Sequence, residues 1–345
     1  MNKSKKIKLS ICIATLNRAY YLEQILESIS QQYQENIELV IVDGNSTDNT
    51  SDVINKVRIN TPNIKYIRLK EKGGIDRDFS LAVKEANGEF CWLLPDDDLI
   101  KPDAIKKILS MIKENTNLIV VNTEVWSKDM SVLLDPQTVK ISDNIQFNGE
   151  KYTDFFTLIA NHMSYIGSVV IKKSIWDSRQ KEKYYNSWFV HVGVVFQDVL
   201  DGIEVKADPM IMIRYGNASW SAKSFEISLF RWPELIWSFD LFSDNTKRKV
   251  VSRFPWKNLA RISLFRAVGA FSRKEYSTFI KNKLPFHQKF FFLCITFVPC
   301  FALNFLFLIC FNILRWKHKK FKLQIHDLKN SCYYYKNILK KFRFN

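Results

Sequence analysis

Three consecutive aspartates, Asp96, Asp97 and Asp98, directly follow a short apolar run. Carboxylates held side by side repel one another, so a fold that keeps them together needs a counter-charge. A divalent cation supplies one, and all-oxygen ligation suits Mg²⁺ or Mn²⁺ better than zinc. Because α/β sheets bind ligands at the carboxyl ends of their strands, the cluster predicts a metal-assisted site for a phosphate-bearing substrate. The alternative is a solvated acidic turn before a helix that begins at Pro102.

The chain around this cluster alternates between β-branched runs and amphipathic stretches. Leu9–Ala14 and Ile37–Val42 have the composition of strands buried on both faces, and the stretch from Leu22 to Ile29 carries the apolar stripe of a helix. The alternation predicts further strands at 64–69, 89–94, 118–121, 169–171 and 210–215, and helices at 51–59, 76–86, 102–113 and 186–200. This order indicates an α/β fold with right-handed βαβ units and a mainly parallel sheet flanked by helices.

Polar loops follow three of the predicted strands and should meet at one edge of the sheet. They are Ala14–Arg18, Asp43–Thr50 and the aspartate cluster. Most of the second loop is explained by a turn at Gly44 and a helix cap after it. Asp43 is the exception, because a carboxylate that ends a buried strand needs a partner, and a base edge or a ribose hydroxyl would serve.

The net charge of +16 is concentrated at the C-terminus. From Lys281 to Asn345 there are 13 Lys and Arg residues against the single acid Asp327, whereas residues 1–280 are nearly balanced at 38 basic to 34 acidic. A nucleic-acid-binding domain would carry this charge on its folded part, so the pattern argues against that class. It predicts a basic tail that faces an anionic membrane surface.

The six cysteines have no metal-ligand spacing and indicate small buried side chains in a reducing compartment. The basic N-terminus resembles an export signal, but its apolar run ends early at Asn17-Arg18, so a first strand is predicted instead.

An uncharged segment of 25 residues, Phe290 to Leu314, is long enough for a membrane helix, which needs roughly 20 residues. Pro299 interrupts it, and both of its flanks are basic. A single span would place one basic flank outside, against the positive-inside tendency, so an interfacial or re-entrant pair of helices is the favoured interpretation. A true span and a buried soluble helix are the alternatives. The region 225–280 before it is predicted to be helical.

Four sequence motifs in order resemble the family-2 glycosyltransferases, over about residues 8–110. They are S-I-C-I-A-T-L-N-R, V-I-V-D-G-N-S-T-D-N-T, G-G-I-D-R-D-F-S-L-A-V and A-N-G-E-F-C-W-L-L-P-D-D-D. The resemblance implies a glycosyltransferase-A (Rossmann-like) fold and a nucleotide-diphosphate-sugar donor. Within the family the chain looks most like O-antigen side-sugar transferases of the abequosyltransferase type.

The resemblance also implies roles for individual residues. Asp97 and Asp98 match the family's paired aspartates, as ribose and metal ligands, and Asp96 is an additional acid beside them. The other implied donor contacts are Thr15, Asn17 and Arg18 in the nucleotide pocket, Asp43 at the base, and Asp76 and Arg77 over the nucleotide or diphosphate. Arg214, after the last predicted strand, is a further candidate for the diphosphate or acceptor, or an ordinary surface arginine.

The catalytic base is expected near the start of a helix before Gly202, where the family usually has a Glu-Asp pair. His191 stands at that place, and a neutral imidazole is a competent base near pH 7. Asp198 is the reserve candidate. The alternative is a histidine that only packs at the helix start.

The leading hypothesis is a metal-assisted transferase that moves a sugar to a lipid-linked oligosaccharide in bacterial surface polysaccharide synthesis, at the cytoplasmic face of the inner membrane. The predicted domains are a catalytic domain over 1–222, a helical extension over 223–285 and a membrane-associating region over 286–345. A catalytically inactive membrane scaffold and a nucleotidyltransferase are the alternatives.

Overall fold

The computed structural model describes residues 6–217, 221–315 and 321–337, which form two compact units. The N-terminal unit comprises the described residues up to Asn217 together with Leu235–Val250, and the C-terminal unit comprises the rest. The domain boundaries at 222 and 285 expected from the sequence stay a prediction.

A ten-stranded mixed sheet forms the centre of the N-terminal unit, as counted over the described residues. Its strands are β1 Leu9–Thr15, β2 Ile37–Asp43, β3 Ile64–Arg68, β4 Phe90–Pro95, β5 Leu99–Ile100, β6 Leu118–Trp126, β7 Leu133–Asp135, β8 Ile145–Phe147, β9 Val169–Lys172 and β10 Ile203–Arg214. The main path runs β3-β2-β1-β4-β9-β6-β10-β5, with β7 beside β6 and β8 beside β10.

The strands β3, β2, β1 and β4 are parallel neighbours, which confirms the predicted parallel core. In contrast, β9 runs antiparallel between β4 and β6, and the short strands β5, β7 and β8 are also antiparallel. Every residue of β1 and of β2 is buried, as their β-branched composition predicts for strands covered on both faces.

Helices cover both faces of this sheet. They are α1 Ala19–Ser30, α2 Thr50–Val57, α3 Ile75–Lys84, α4 Ala104–Met111, α5 Tyr152–Ile159, α6 Lys173–Ser178 and α7 Val190–Phe196. The next helices in the chain are α8 Ser224–Glu226, α9 Trp232–Trp237 and α10 Asp244–Val250. The first residues of α9 belong to the C-terminal unit and its last residues to the N-terminal unit. The segment 235–250 belongs to the N-terminal unit because Phe242 stacks on Phe156 of α5 with ring centres 3.8 Å apart.

The helix predicted over 186–200 is shorter than expected. Only Val190–Phe196 is helical, because the preceding loop takes left-handed backbone angles at Asn186 (φ 67°) and Trp188 (φ 75°). The irregular region predicted from 127 to 161 does contain α5 and two short strands.

The C-terminal unit is helical over its described residues. Its remaining helices are α11 Leu259–Ala267, α12 Arg273–Glu275, α13 Phe286–Phe297, α14 Cys300–Arg315 and α15 Lys322–Asn330. Buried aromatic rings that include Phe225, Phe230 and Phe271 form its core. Part of the predicted basic tail, at 316–320 and 338–345, lies outside the described residues.

Candidate active site

The carboxyl ends of β1, β2 and β4 lie side by side. Thr15 pairs with Asp43 across β1 and β2, and Ala14 pairs with Pro95 across β1 and β4. The hydroxyl of Thr15 donates to Asp96 Oδ2 at 2.8 Å. The three predicted loops therefore do meet at one edge of the sheet.

Arg18 provides the counter-charge for two of the aspartates. Its Nη2 donates to Asp97 Oδ2 at 2.5 Å, and its Nε lies 2.9 Å from Asp96 Oδ1. Burial raises the pKa of Asp96 to about 7, although the nearby Arg18 guanidinium lowers it. The charge repulsion that was expected to require a metal ion is thus partly relieved by a side chain and partly by protonation.

Asp98 is the most enclosed of the three aspartates, with 3% of its surface exposed. Its Oδ2 accepts the hydroxyl of Tyr165 at 2.7 Å, and its Oδ1 accepts the backbone N–H of Arg214 at 2.6 Å. Burial, followed by the charge of Asp97, raises the pKa of Asp98 well above its usual value. Both carboxylate oxygens are therefore held by protein donors.

The Arg214 side chain is engaged inside the protein. Its Nε donates to the carbonyl oxygen of Asp97 at 3.0 Å and its Nη2 to Gln24 Oε1 at 2.7 Å, while Nη1 reaches the carbonyl oxygen of Lys128 at 3.2 Å. Only 6% of the residue is exposed. Arg214 therefore positions the aspartate turn and is not an ordinary surface arginine. Its predicted contact with a diphosphate or acceptor stays a prediction.

The oxygen donors of the cluster fit a hard divalent cation mainly through Asp97. Over the described residues no three His, Cys, Asp or Glu side chains are grouped as metal ligands. Magnesium sites that also bind substrate phosphates need only one or two carboxylates. The side-chain donors of Asp97, from Arg18 and Asn217, both bind its Oδ2, whereas each oxygen of Asp98 holds a donor and Asp98 would first have to release Tyr165 or the Arg214 amide.

Asp43 ends β2 with 1% of its surface exposed. Its Oδ1 accepts the N–H of Ser46 at 2.7 Å, and its Oδ2 accepts the hydroxyl of Tyr66 at 2.6 Å. Burial and the Asp43 carboxylate raise the pKa of Tyr66 to about 12, so this hydroxyl remains a donor. Each carboxylate oxygen has a second lone pair, and the predicted contact of Asp43 with a base stays a prediction.

Asn17 joins the first two loops. It takes a left-handed conformation (φ 54°), which asparagine tolerates better than most residues. Its side-chain oxygen accepts the N–H of Thr47 at 2.7 Å, and its own N–H donates to Ser46 Oγ at 2.9 Å. Asn17 therefore fixes the first two loops to one another, and its predicted place in the nucleotide pocket stays a prediction.

Asp76 anchors the loop that leads into α7. Its buried carboxylate accepts the N–H of Trp188 at 2.9 Å and that of Val190 at 3.0 Å. These contacts hold the left-handed turn at Trp188, a conformation that costs free energy for a bulky residue. Arg77 is exposed, with its guanidinium 4.7 Å from the centre of the Tyr185 ring. Arg77 is therefore the more accessible of the two residues, and the predicted donor contacts of both stay predictions.

We expect Asp76→Asn to lower kcat by about tenfold with little change in the KM for the donor, because an amide can accept only one of the two backbone N–H groups. The matched variant Arg77→Gln should instead raise the KM. Steady-state kinetics on both variants test this. A raised donor KM with unchanged kcat in Asp76→Asn would support the donor-binding role predicted from the sequence.

His191 lies in the first turn of α7, with 1% of its surface exposed. Its Nε2 donates to the carbonyl oxygen of Met163 at 2.7 Å, so Nδ1 carries the lone pair, and no described residue binds it. Burial lowers the pKa of His191 to about 4, which keeps the ring neutral near pH 7. Tyr165, two residues after Met163, binds Asp98 through its hydroxyl. The Cα atoms of Met163 and Tyr165 are at most about 7 Å apart, because two residues of extended chain span no more than that.

The reserve base, Asp198, has different surroundings. It follows α7, its side chain is 74% exposed, and it pairs with Arg179 at 3.2 Å. Its contacts do not involve the aspartate cluster. The structure thus brings His191, but not Asp198, next to the segment that binds Asp98.

Sequence reasoning missed Asp78. This residue of α3 is 7% exposed, and its Oδ1 is buried without a hydrogen-bond partner among the described residues. A Cβ atom on Gly73 would lie 2.4 Å from that oxygen, so only glycine fits there without a shift. The adjacent Gly73-Gly74 pair was the sequence signal for a close approach of the backbone.

Burial raises the pKa of Asp78 to about 6. The folded protein therefore keeps a proton that the unfolded chain releases near pH 4, and the free energy of unfolding should fall as the pH rises from 4 to 6. A difference of about two units between the pKa of Asp78 in the folded and in the unfolded chain corresponds to about 3 kcal/mol in the free energy of unfolding. Urea denaturation across this range should show a flatter profile for Asp78→Asn than for the control Asp154→Asn, an exposed position on α5. Equal profiles would contradict the prediction.

A family model described as "Glycosyl transferase family 2" matches residues 10–176, which include Thr15, Asp43 and the aspartate cluster. Residues 10–176 are a family 2 glycosyl transferase domain. The chain is accordingly a nucleotide-sugar-dependent glycosyltransferase, as its motifs predicted.

Two curated relatives of this glycosyltransferase are bacterial proteins named as sugar transferases. Abequosyltransferase RfbV of Salmonella typhimurium is 29% identical over 230 residues, covering 62% of this chain and 69% of that protein. The GalNAc(5)-diNAcBac-PP-undecaprenol beta-1,3-glucosyltransferase of Campylobacter jejuni is 31% identical over 108 residues, 31% of this chain and 35% of that enzyme.

Among solved structures, S. aureus TarS 1-349 in complex with UDP-GlcNAc matches with a TM-score of 0.55 at 19% identity. The match covers 94% of this chain and 90% of that one. It confirms the predicted glycosyltransferase-A fold.

Proposed function

We propose that this glycosyltransferase moves a sugar from a nucleotide-diphosphate sugar to a hydroxyl of a lipid-linked oligosaccharide in bacterial surface polysaccharide synthesis, such as that of O-antigen. The relatives support this: one is named for abequose transfer, and another for a substrate built on undecaprenol. We place the reaction at the cytoplasmic face of the inner membrane, where nucleotide sugars are made and lipid carriers are accessible.

One observation carries the proposal. The predicted donor residues Thr15, Asp43 and Asp97 lie at adjacent strand ends, and the segment Met163–Tyr165 connects this edge to His191. A donor site and a neutral base beside it are what glycosyl transfer to a hydroxyl requires.

In the reaction, the oxygen of the acceptor hydroxyl bonds to the anomeric carbon of the donor sugar while the bond from that carbon to the diphosphate oxygen breaks. Since its Nε2 is fixed by Met163, His191 takes the proton of the hydroxyl at Nδ1, which is buried and must be reached by the acceptor as it binds. Arg18 is close enough to Asp97 to offset negative charge as the nucleoside diphosphate leaves. A Mg²⁺ or Mn²⁺ ion at Asp97 would stabilise the same charge.

The proposal is tested by incubating the full-length protein with UDP-, GDP-, CDP- and dTDP-sugars, with Mg²⁺ or Mn²⁺ or with EDTA, and measuring release of nucleoside diphosphate. We expect release from one donor, increased by a lipid-linked acceptor and reduced by EDTA. Release of pyrophosphate would indicate a nucleotidyltransferase. Absence of both release and donor binding would indicate an inactive scaffold and refute the proposal.

A further inference from the structure

The outward faces of α13 and α14 are apolar. On α13, Phe286, Phe290 and Phe297 are 90%, 68% and 58% exposed. On α14, Phe301, Phe305 and Ile309 follow one another at intervals of four residues and are 56%, 54% and 43% exposed. Residues four apart share one face of a helix, so α14 presents a continuous aromatic and aliphatic surface. Soluble monomers rarely expose apolar patches of this kind without a partner.

One polar side chain near the middle of the paired segment is buried on each helix. Asn304 is 1% exposed and donates to the carbonyl oxygens of Ala267 and Leu328, which belong to the last turns of α11 and α15. Thr296 of α13 is 5% exposed and donates to the carbonyl oxygen of Leu293 at 2.7 Å. The exposed polar residues His287 and Asn312 lie near the outer ends of the pair. Water-facing helices bury their large apolar side chains, whereas here many of these face outward, which favours a hydrocarbon environment on that side.

The geometry of the pair suits the surface of a bilayer. Over the described residues no single helix has the length and apolarity to cross a membrane, whereas α13 and α14 meet the criterion together but are bent by 94°. The 16 residues of α14 extend about 24 Å, compared with a hydrocarbon core of about 30 Å.

The charge around this surface selects the lipid. The chain has no acidic residue between Glu275 and Asp327. Lys281 and Lys283 are exposed just before α13, and Lys329 is exposed on α15. Basic side chains beside an apolar face strengthen binding to anionic lipids.

We propose that the outward faces of α13 and α14 bind one anionic membrane leaflet and lie in its interface without crossing it. The proposal identifies the surface of the protein and the class of lipid that would hold it at the membrane location proposed above. It does not depend on the transfer reaction, so either proposal can fail alone.

The test is flotation of the full-length protein with phosphatidylglycerol or phosphatidylcholine vesicles. We expect binding to phosphatidylglycerol, and binding at least about tenfold weaker for Phe290→Ser/Phe305→Ser. The matched control is Ile59→Ser/Val132→Ser, which removes apolar side chains that are 82% and 51% exposed on the N-terminal unit. Its binding should stay within about twofold of the native value. Both variants change only exposed positions, so both are expected to fold. Release of nucleoside diphosphate at the native rate checks that they do.

Three results would overturn the inference. Unchanged binding of the Phe variant would mean attachment by charge alone. Resistance to alkaline carbonate extraction would indicate a spanning segment. A lipid-free dimer that fails to bind vesicles, detected by sedimentation, would show that a second copy of the chain covers the face. As a direct readout, a fluorophore on Cys310, an exposed residue of α14, should become protected from aqueous iodide when vesicles bind.

Discussion

Asp97→Asn is expected to lower kcat/KM by about 10²- to 10³-fold while the protein stays folded. The replacement removes the carboxylate that faces Arg18 and offers an oxygen to a cation. Folding should persist because Arg18 keeps its ion pair with Asp96 and Asn217 can still donate to the oxygen of the new amide. Steady-state release of nucleoside diphosphate and thermal unfolding measure the two effects separately.

Asp96→Asn is the matched control for this variant. Burial already raises the pKa of Asp96 to about 7, so its side chain is partly protonated near neutral pH and losing its remaining charge is a smaller change than at Asp97. The amide oxygen can keep the bond from the hydroxyl of Thr15. We expect a loss of less than about tenfold. If Asp96→Asn were the more damaging variant, the assignment of the functional acid to Asp97 would be wrong.

His191→Gln is expected to lower kcat by about 10²- to 10⁴-fold with little change in donor KM, the range for removal of a general base. The glutamine amide can still donate to the carbonyl oxygen of Met163, so the fold around α7 is retained. Because burial lowers the pKa of His191 to about 4, the wild-type kcat should stay level as the pH falls from 8 to 5.5. Rapid-quench or steady-state kinetics across this range test both statements.

His162→Gln is the control for this second prediction. His162 is half-buried, and burial lowers its pKa to about 4 as well. Its ring nitrogens contact the carbonyl oxygen of Val121 and the hydroxyl of Thr138. Its substitution should affect stability but leave kcat within about threefold. An equal loss of kcat in both variants would mean that His191, like His162, only packs.

The parallel core was predictable because its strands are buried on both faces and therefore consist of continuous β-branched runs. Leu9–Thr15 and Ile37–Asp43 are examples. The antiparallel insertion of β9 could not be predicted. Val169–Lys172 is short, and its place in the sheet depends on contacts with β4 and β6, which are distant in the chain. Local periodicity carries no information about such pairing.

The site was predictable where chemistry is unusual, as at three adjacent aspartates. The identity of the counter-charge could not be predicted, because a guanidinium group or a metal cation can neutralise the same carboxylates. Only the fold shows that Arg18 reaches two of them. The protein contacts of Asp76 could not be predicted either, because its motif suggested a contact with a ligand. Its two backbone partners at Trp188 and Val190 lie more than a hundred residues away in sequence.

The short segment Met163–Tyr165 contacts His191 through one end and Asp98 through the other. A substitution that moves one end of this segment is therefore expected to move the other end as well, so that His191 and Asp98 shift together. Exchanging the residues around Asp98 with those of a relative would require this segment to be transferred with them.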